Sequence, residues 1–358
     1  MKAIGVAQYG AISNLEARIL PQPDKLKGRD LLIEVKAMSV NPIDTKVRNG
    51  TYDDAPGANL DLLLDYYDHV PESFHVVGFD GAGIVRDVGP DCKYFKPGDA
   101  VFYVGSATRQ GSAAEYQLVD ERTVGHKPSN FDFVESAVMP LTYGTAYEAV
   151  VERLGIQKNE QAAILIINGA GGVGSMASQI ARYILNLPVV ITTASRPETT
   201  EWTKKMGATH VLDHRKDLRP QIEALTLDIP LKYIFITHST SQYLSVSADI
   251  CAPLGKICSI VQSPVNFYGT QFLSKSITFA WCWLGSRSYH NYDRDAQHLM
   301  MEELAAHCES GEIRSHLTKR MKLTKEGLQQ AHRLMESTTT IGKIGLGIEE
   351  DGAGKAFA

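Results

Sequence analysis

One glycine-rich turn constrains the fold of this chain more than any other feature of its sequence. Gly169, Gly171 and Gly174 form the pattern G-x-G-x-x-G directly after the apolar run 162–168, AAILIIN. Residues 173–186 then carry apolar side chains at helical spacing on one face. A buried strand, a tight turn and an amphipathic helix in this order are typical of an open parallel sheet covered by helices.

The residues after this turn continue the same alternation of strand and helix. The strand candidates are 189–193, 211–212, 233–237, 256–261 and 277–284, and the helical stretches include 198–206, 218–225 and 293–308. Alternating β and α elements predict a doubly wound parallel sheet, so the fold class is α/β.

The first 130 residues have a different pattern. Short strand-like runs occupy 31–38, 83–88, 100–104 and 115–119, and turn residues rich in Gly, Pro and Asp separate them. This pattern predicts a small β-rich barrel or sandwich. A chain of 358 residues also exceeds what one compact core usually holds, which favours two domains.

Composition excludes several classes of partner. Lys and Arg total 36 against 41 Asp and Glu, giving a net charge of −5, so no overall positive field would attract nucleic acid. No run approaches the roughly 18 apolar residues of a membrane span. The five cysteines form no C-x-x-C pair, and the N-terminus lacks the pattern of a signal or transit peptide, so we expect a reduced, cytoplasmic chain without a disulfide framework.

The glycine turn predicts a dinucleotide site. Gly169 permits the tight turn, Gly171 lets backbone amides approach a pyrophosphate, and Gly174 allows close helix packing. Gly172 and Val173 complete the turn at the helix N-terminus, where N–H groups and the helix dipole favour an anion. A glycine-rich turn with only a structural role is the alternative.

The end of the second strand indicates which dinucleotide is preferred. Ser195 and Arg196 stand there, where an NAD-specific site usually has an acidic residue that binds the ribose hydroxyls. Hydroxyl and guanidinium donors suit a 2′-phosphate, so NADPH is the predicted cofactor. Alternatively, Ser195 only caps the next helix ahead of Pro197, with Arg196 in solvent. His214 would add charge around the phosphate or lie in a solvated turn.

Together these residues resemble the medium-chain dehydrogenase/reductase superfamily, in its zinc-independent quinone-oxidoreductase branch. The matching blocks are 40–52 (VNPIDTKVRNGTY), 78–89, 95–101, 111–119 (GSAAEYQLV), 140–147 (PLTYGTAY) and 170–179. Within that branch the chain is most similar to zinc-type alcohol dehydrogenase-like proteins, on the TASRPET and IGKI segments.

The resemblance implies an architecture. A GroES-like catalytic domain would comprise 1–139 and 301–358, and a Rossmann dinucleotide-binding domain would comprise 140–300. The cofactor would lie in the cleft between them, and a homodimer would be the commonest assembly.

The metal ligands of the zinc-dependent members are absent from the matching positions. Asn41 stands where those members have Cys, and Phe79-Asp80 stands where they have a His-Glu pair. Cys92 is alone in its region, so the cysteine-rich structural zinc site has no ligands either. We therefore expect no bound metal, and chemistry in which hydride passes to an acceptor that is already electrophilic.

The resemblance also assigns residues to the reaction. Asn41, Asp44 and Thr145 would line the nicotinamide end, with Arg48 and Tyr52 near the substrate. Arg48 can polarise a carbonyl or hold Asp44, and Tyr52 or water can supply a proton. Alternatively, Asn41 starts a turn, and Asp44 with Arg48 forms a helical i, i+4 pair.

The sequence thus predicts an NADPH-dependent, zinc-independent oxidoreductase acting on a small molecule, either a quinone or an α,β-unsaturated carbonyl. The alternatives are an enoyl-thioester reductase, a zinc alcohol dehydrogenase, and a nucleotide-binding protein with a structural or RNA-associated role. The acidic segment 53–71 is either a lid over the substrate or a solvated insertion.

Overall fold

A computed structural model describes residues 1–51 and 74–348. The chain divides into two compact units, a first of Met1–Leu141 with Gly285–Ala358 and a second of Thr142–Leu284. The sequence placed these boundaries after residues 139 and 300. Residues 285–300 join the first unit because the helix Asp295–Glu309 packs on the strand Val124–His126 of that unit.

Strands and helices of the first unit come from both ends of the chain. Its strands are β1 Lys2–Val6, β2 Glu16–Ile19, β3 Asp30–Val40, β4 His75–Val76, β5 Asp80–Val88, β6 Ala100–Val104, β7 Tyr116–Asp120, β8 Val124–His126, β15 Leu317–Lys322 and β16 Lys343–Gly347. Its helices are α1 Pro42–Asn49, α2 Phe133–Ala137, α8 Ser286–Tyr289, α9 Asp295–Glu309 and α10 Lys325–Glu336, with short 3₁₀ helices at Ile12–Asn14 and Glu121–Thr123.

The β-rich first unit is built on two sheets. The larger sheet has the order β15-β16-β3-β5-β6-β8, with β7 also paired to β3, and the smaller has the order β2-β1-β4. The sixteenth strand runs antiparallel to the third, and Ile344 lies opposite Val40. The third strand pairs with the fifth, where Ser39 lies opposite Asp80. These two registers bring three distant segments of the sequence side by side.

The second unit is the parallel sheet that the alternating pattern predicts. Its strands are β9 Ala163–Ile167, β10 Val189–Thr193, β11 His210–Leu212, β12 Leu231–Ile236, β13 Lys256–Ser259 and β14 Thr278–Trp281. Its helices are α4 Gly172–Gln179, α5 Pro197–Lys205, α6 Leu218–Glu223 and α7 Thr240–Ile250, and α3 Pro140–Tyr147 crosses the boundary between the units. The helices α3 and α4 continue as π-helical segments, Glu148–Arg153 and Ile180–Ile184.

The strand order of the second unit is β11-β10-β9-β12-β13-β14, and all five pairings are parallel. The order reverses direction between β9 and β12, which is the point at which doubly wound sheets bind ligands. Because the central strands are buried on both faces, β9 reads as an unbroken apolar run and all five of its residues are buried. Among the described residues, no helix is long and apolar enough to cross a membrane.

Candidate functional site

The glycine turn lies between the central strand β9 and helix α4. The backbone N–H of Asn168 donates to Thr193 Oγ1 at 2.8 Å, and the N–H of Gly169 donates to the carbonyl of Thr193 at 3.1 Å. Asn168 itself adopts a left-handed conformation, with φ of 61°. The turn is therefore fixed to the end of β10, the strand that leads to the predicted phosphate-selecting residues.

Two of the glycines are required by close packing. A Cβ at Gly169 would lie 2.5 Å from Thr192 Cβ, and a Cβ at Gly174 would collide with the carbonyl oxygen of Asn168. At Gly171 the nearest atom to a Cβ would be the flexible Nδ2 of Asn168, at 3.0 Å. Packing in the protein itself thus accounts for the first and third glycines. Packing does not require the second glycine, Gly171, so this position can serve to bind a ligand.

The start of α4 suits an anion. Gly171 is the N-cap residue and provides no side-chain cap, and the first turn, which contains Gly172, Val173 and Gly174, has no acidic residue. The first N–H groups of a helix have no partner within the helix and carry the positive end of its dipole. The turn therefore fits a dinucleotide pyrophosphate.

The residues predicted to select the cofactor follow β10. Arg196, not Ser195, is the N-cap of α5, and its N–H donates to Thr199 Oγ1 at 3.1 Å. The alternative in which Ser195 caps this helix is therefore wrong by one residue. The Arg196 side chain is 39% exposed, and its Nε lies 3.3 Å from Glu198.

The neighbouring strand β11 leads His214 and Arg215 to the same sheet edge. Ala194 N–H donates to the carbonyl of Leu212 at 2.9 Å, so the segments that follow β10 and β11 leave the sheet side by side. His214 follows β11, and burial lowers its pKa, which favours the neutral imidazole over the added charge that the sequence predicts. The adjacent Arg215 pairs with both carboxylate oxygens of Asp213, at 3.0 Å each. This pairing removes most of the negative charge that Asp213 would place there.

In the first unit, four polar residues form a buried cluster that we call the Asn41 cluster: Ser39, Asn41, Asp80 and Lys343. Asn41 Nδ2 donates to Asp80 Oδ2 at 2.8 Å, and Lys343 Nζ donates to Asn41 Oδ1 at 2.5 Å. Ser39 Oγ also donates to Asp80 Oδ2, at 2.7 Å. The strand registers explain this meeting, because β3 ends beside Asn41 and pairs with β16 on one side and β5 on the other.

Asp44 lies beside the cluster on the first turn of α1. Its Oδ2 accepts from the backbone N–H of Asn41 at 2.6 Å, so Asn41 starts the helix as its N-cap. Burial raises the pKa of Asp44 to about 7. Its Oδ1 is buried and has no hydrogen-bond partner among the described residues, which makes it the natural location for the carboxyl proton.

Arg48 has partners other than those predicted. Its Nη1 donates to the carbonyl of Gly10 at 2.6 Å and its Nη2 pairs with Glu336 of α10, while the side chain is 1% exposed. Asp44, the predicted i, i+4 partner, is not among these contacts. The geometry favours a role of Arg48 in holding α1 against α10.

The remaining predicted residues are distributed as follows. Thr145 is buried on α3, in the second unit, and Asn41 and Asp44 belong to the first. Tyr52 and the segment 53–71 lie outside the described residues. Ser39 and Lys343 were not among the predicted site residues, and Asp80 was predicted only as the replacement of a metal ligand. A lysine at the first position of β16 marks Lys343 in the sequence, but nothing in the sequence predicts the register that places it beside Asn41.

The Asn41 cluster does not fit a metal ion. Zinc takes nitrogen, sulfur or carboxylate ligands, whereas the positions of the cluster hold an amide and one carboxylate, with the Lys343 ammonium 3.5 Å from Asp80 Oδ2. A second cation there would be repelled by the first. Across residues 1–51 and 74–348, no group of three or more His, Cys, Asp or Glu side chains is placed to hold a metal.

The titration of Asp44 predicts an unusual pH dependence of stability. An unfolded Asp loses its proton near pH 4, but native Asp44 keeps its proton up to about pH 7. Its contribution to stability is therefore fully present below pH 4 and is lost as the pH rises through 7, by up to about 1.4 kcal/mol per pH unit. We expect Asp44→Asn, which keeps an acceptor for Asn41 N–H, to gain stability over the wild type between pH 5 and pH 8.

Urea unfolding at each pH, followed by hydrogen exchange of β3 peptides, measures this effect in the first unit. All three tryptophans lie in the second unit, so their fluorescence would not report it. The exposed Asp91→Asn is the matched control and should leave the pH dependence unchanged. If the free energy of unfolding of Asp44→Asn and of the wild type changed with pH in parallel, the prediction would be contradicted.

Each of the two units contains residues that match a known domain family. Residues 27–129 match the alcohol dehydrogenase GroES-like domain, and residues 172–302 match the zinc-binding dehydrogenase domain. A zinc-type alcohol dehydrogenase-like protein of Staphylococcus aureus (strain COL) is 41% identical over 326 residues, which are 89% of this chain and 91% of that protein. The chloroplastic NADPH-dependent alkenal/one oxidoreductase of Arabidopsis thaliana is 33% identical over 241 residues, covering 65% of this chain and 55% of that protein.

Solved structures show the same fold. A Rhizobium etli CFN 42 protein described as a zinc-dependent alcohol dehydrogenase is 40% identical, with a TM-score of 0.86 over 97% of this chain and 98% of that one. The Escherichia coli quinone oxidoreductase in complex with NADPH is 25% identical, with a TM-score of 0.79 over 97% and 100%. With its GroES-like unit, its doubly wound Rossmann unit and these relatives, the chain belongs to the zinc-type alcohol dehydrogenase-like proteins of the medium-chain dehydrogenase/reductase superfamily, and is an oxidoreductase.

Proposed function

We propose that this oxidoreductase is an NADPH-dependent reductase that acts on quinones or α,β-unsaturated carbonyl compounds without zinc. The observation that carries the proposal is the sheet edge of the second unit. There α4 follows β9 and begins at Gly171 without a side-chain cap, and the neighbouring strand β10 leads to Ser195 and Arg196. No carboxylate follows β10 directly. When bound, the reduced nicotinamide supplies the hydride for such a reaction.

The residues of the second unit have two tasks in this proposal. The amides at the start of α4 hold the pyrophosphate, and Ser195 with Arg196 binds the 2′-phosphate that distinguishes NADPH from NADH. Arg196 directly follows Ser195 after β10 and its side chain is 39% exposed, so it is the candidate for the charge contact. The A. thaliana and E. coli relatives, named for NADPH or bound to it, support the same choice of cofactor.

The residues of the first unit support the choice of acceptor. Oxidation of an alcohol needs a group that stabilises the alkoxide, which zinc provides in metal-dependent enzymes. The Asn41 cluster has an ammonium in place of metal ligands, and its carboxylate accepts the hydrogen bonds described above. Such a site suits an acceptor that is electrophilic without a metal, and quinones and enones meet that condition.

A substrate panel tests this proposal. The protein is supplied with NADPH and, in turn, a quinone, an enone and an enoyl thioester, then with NADP⁺ and a primary alcohol, and absorbance at the NADPH band is followed. We expect turnover with the quinone or the enone. Preferred turnover of the thioester would favour the enoyl-thioester reductase. Tight NADPH binding with no turnover would favour a binding protein, and zinc found by elemental analysis together with alcohol oxidation would favour a zinc alcohol dehydrogenase.

Arg196→Ala should selectively weaken binding of NADPH. The loss of one charge-assisted hydrogen bond, worth about 1.5–3 kcal/mol, raises the Kd for NADPH about 10- to 100-fold and leaves the Kd for NADH unchanged. Fluorescence titration of both coenzymes measures the two constants. Arg219→Ala removes an exposed arginine of the same unit that is paired with Asp217 and Asp249, and should change neither Kd. Equal losses for both coenzymes in Arg196→Ala would refute the assignment.

We also propose that two copies pair through β14. This strand is one of the two edge strands of the sheet, and an unpaired edge is a template for another strand. Trp281 on β14 is an exposed apolar side chain, as are Tyr268 and Leu273 in the segment that precedes β14. In sedimentation experiments we expect twice the chain mass of 39.3 kDa for the wild type and for Ile19→Lys, a control on an exposed residue of the first unit. Trp281→Lys, which places like charges together, should give monomers, and a monomeric wild type would exclude the proposal.

A further inference from the structure

Lys343 is a buried cation in the first unit, and its contacts lie in and beside the Asn41 cluster. Its residue is 2% exposed, and its Nζ donates to the carbonyl of Val40 at 2.8 Å and to Asn41 Oδ1 at 2.5 Å. The third neighbour of Nζ is Asp80 Oδ2 at 3.5 Å. Burying an ammonium is costly unless its protons are all directed at acceptors, and these three oxygens meet that condition.

The first consequence concerns the amide of Asn41. An asparagine side chain can turn over, which exchanges its oxygen and its nitrogen. Lys343 only donates and the Asp80 carboxylate only accepts, so the pair permits a single orientation: Oδ1 toward Lys343 and Nδ2 toward Asp80. Lys343 therefore provides one of the contacts that fix the orientation of the Asn41 side chain.

The second consequence concerns Asp80. Its Oδ2 accepts from Ser39 and Asn41, and its Oδ1 accepts from the backbone N–H of Leu141 at 2.8 Å. Burial raises the pKa of Asp80, and the Lys343 ammonium and these three hydrogen bonds oppose that shift because they favour the carboxylate form. Lys343 therefore supports the carboxylate that accepts the Asn41 amide.

We infer that Lys343 is a positioning residue of the reductase, acting through Asn41 and Asp80. This inference rests on the proposed function, since it takes Asn41 to orient the nicotinamide of NADPH, as the family resemblance implies. The ammonium holds the Asn41 amide in one orientation and balances the charge of the Asp80 carboxylate that accepts from this amide. It touches neither coenzyme nor acceptor in this assignment.

A double-mutant cycle tests the inference. Lys343→Met combined with Asp80→Asn removes both charges together, so the variant has no uncompensated buried charge. We expect its kcat to fall about 100-fold, the size of loss caused by a misplacement of about 1 Å, with the Kd for NADPH within about 3-fold of the wild type. In an Asn41→Ala background, the same two substitutions should lower kcat by less than about 3-fold, because Lys343 acts through Asn41.

Lys127→Met is the matched control. It removes another partly buried lysine of the first unit, which donates to the carbonyls of Pro128 and Phe131, and it should leave kcat unchanged. The inference would be overturned if the two substitutions lowered kcat by the same factor in the Asn41→Ala background as in the wild type. A folded charge-matched variant with wild-type kcat would also overturn it.

The emission of bound NADPH gives a readout that does not need turnover. Nicotinamide emission reports the surroundings of that ring, so Asn41→Ala and the charge-matched variant should shift it alike, and Lys127→Met should not. If the wild type binds NADPH but reduces none of the acceptors, the proposed function fails, and this comparison still decides the role of Lys343. Unchanged emission in the charge-matched variant would then refute it.

Discussion

Replacing Lys343 alone by Met should lower the free energy of unfolding by about 3–5 kcal/mol, which is the usual cost of leaving a buried charge without its partner. Asp80 is completely buried and keeps three hydrogen-bond donors that favour its charged form. Without the ammonium, the carboxylate must either stay charged in an apolar setting or take up a proton and lose a donor. Urea unfolding, followed by hydrogen exchange of β3 and β5, measures the loss.

A second substitution, Asp80→Asn, distinguishes the effect of the unbalanced charge from the effect of altered packing. Adding Asp80→Asn to Lys343→Met removes the uncompensated charge and should recover at least about half of the lost stability. Lys127→Met, whose side chain is only partly buried, should cost about 1 kcal/mol. If Lys343→Met lowered the free energy of unfolding by no more than this control does, the charges of the Asn41 cluster would not depend on one another.

Alanine at the third and second glycines of the turn should have separable effects on folding and on coenzyme binding. In Gly174→Ala the new methyl group collides with the backbone of Asn168, so α4 must move away from β9. We expect a loss of about 1–3 kcal/mol in the stability of the second unit and a 10- to 100-fold rise in the Kd for NADPH. Tryptophan fluorescence reports the unfolding, since all three tryptophans belong to this unit.

Gly171→Ala should retain wild-type stability to within about 1 kcal/mol, because only the flexible Asn168 side chain is near the new methyl group. Its methyl group would stand where the pyrophosphate approaches, so the Kd for NADPH should still rise at least about 10-fold. Ile257→Val is the reverse control: it removes a buried methyl group from β13 and should cost about 0.5–1.5 kcal/mol without changing the Kd. Normal affinity in Gly171→Ala would argue against nucleotide binding at this turn.

The second unit could be predicted well from the sequence because its central strands are buried on both faces. The run 189–193 matches β10, and 256–261 contains β13, since unbroken apolar runs mark such strands. The helix predicted over 173–186 begins one residue earlier, and its second half is π-helical. Periodicity alone does not distinguish these two helical forms.

The first unit was harder to predict because its pairings join distant segments. β15 is a mostly polar, exposed strand, and β16 has a lysine at its first position, so neither shows the apolar pattern of a strand. For the same reason the partners of Asn41 were missed. A family resemblance pointed to Asn41 and Asp44, but the register of β16 against β3 is what places Lys343 beside them, and one sequence contains no signal for that register.

The pairing of β16 with β3 has a consequence for synthesis on the ribosome. The second unit is one continuous segment, 142–284, so it can fold while translation is still under way. The first unit cannot be completed until the strand that begins at Lys343 has been made, because that strand pairs with β3. Until then, the nascent N-terminal half has an open sheet edge at β3 and an Asp80 without its cation. An open edge is a template for another strand, so this half is exposed to misassociation until translation has passed Gly347.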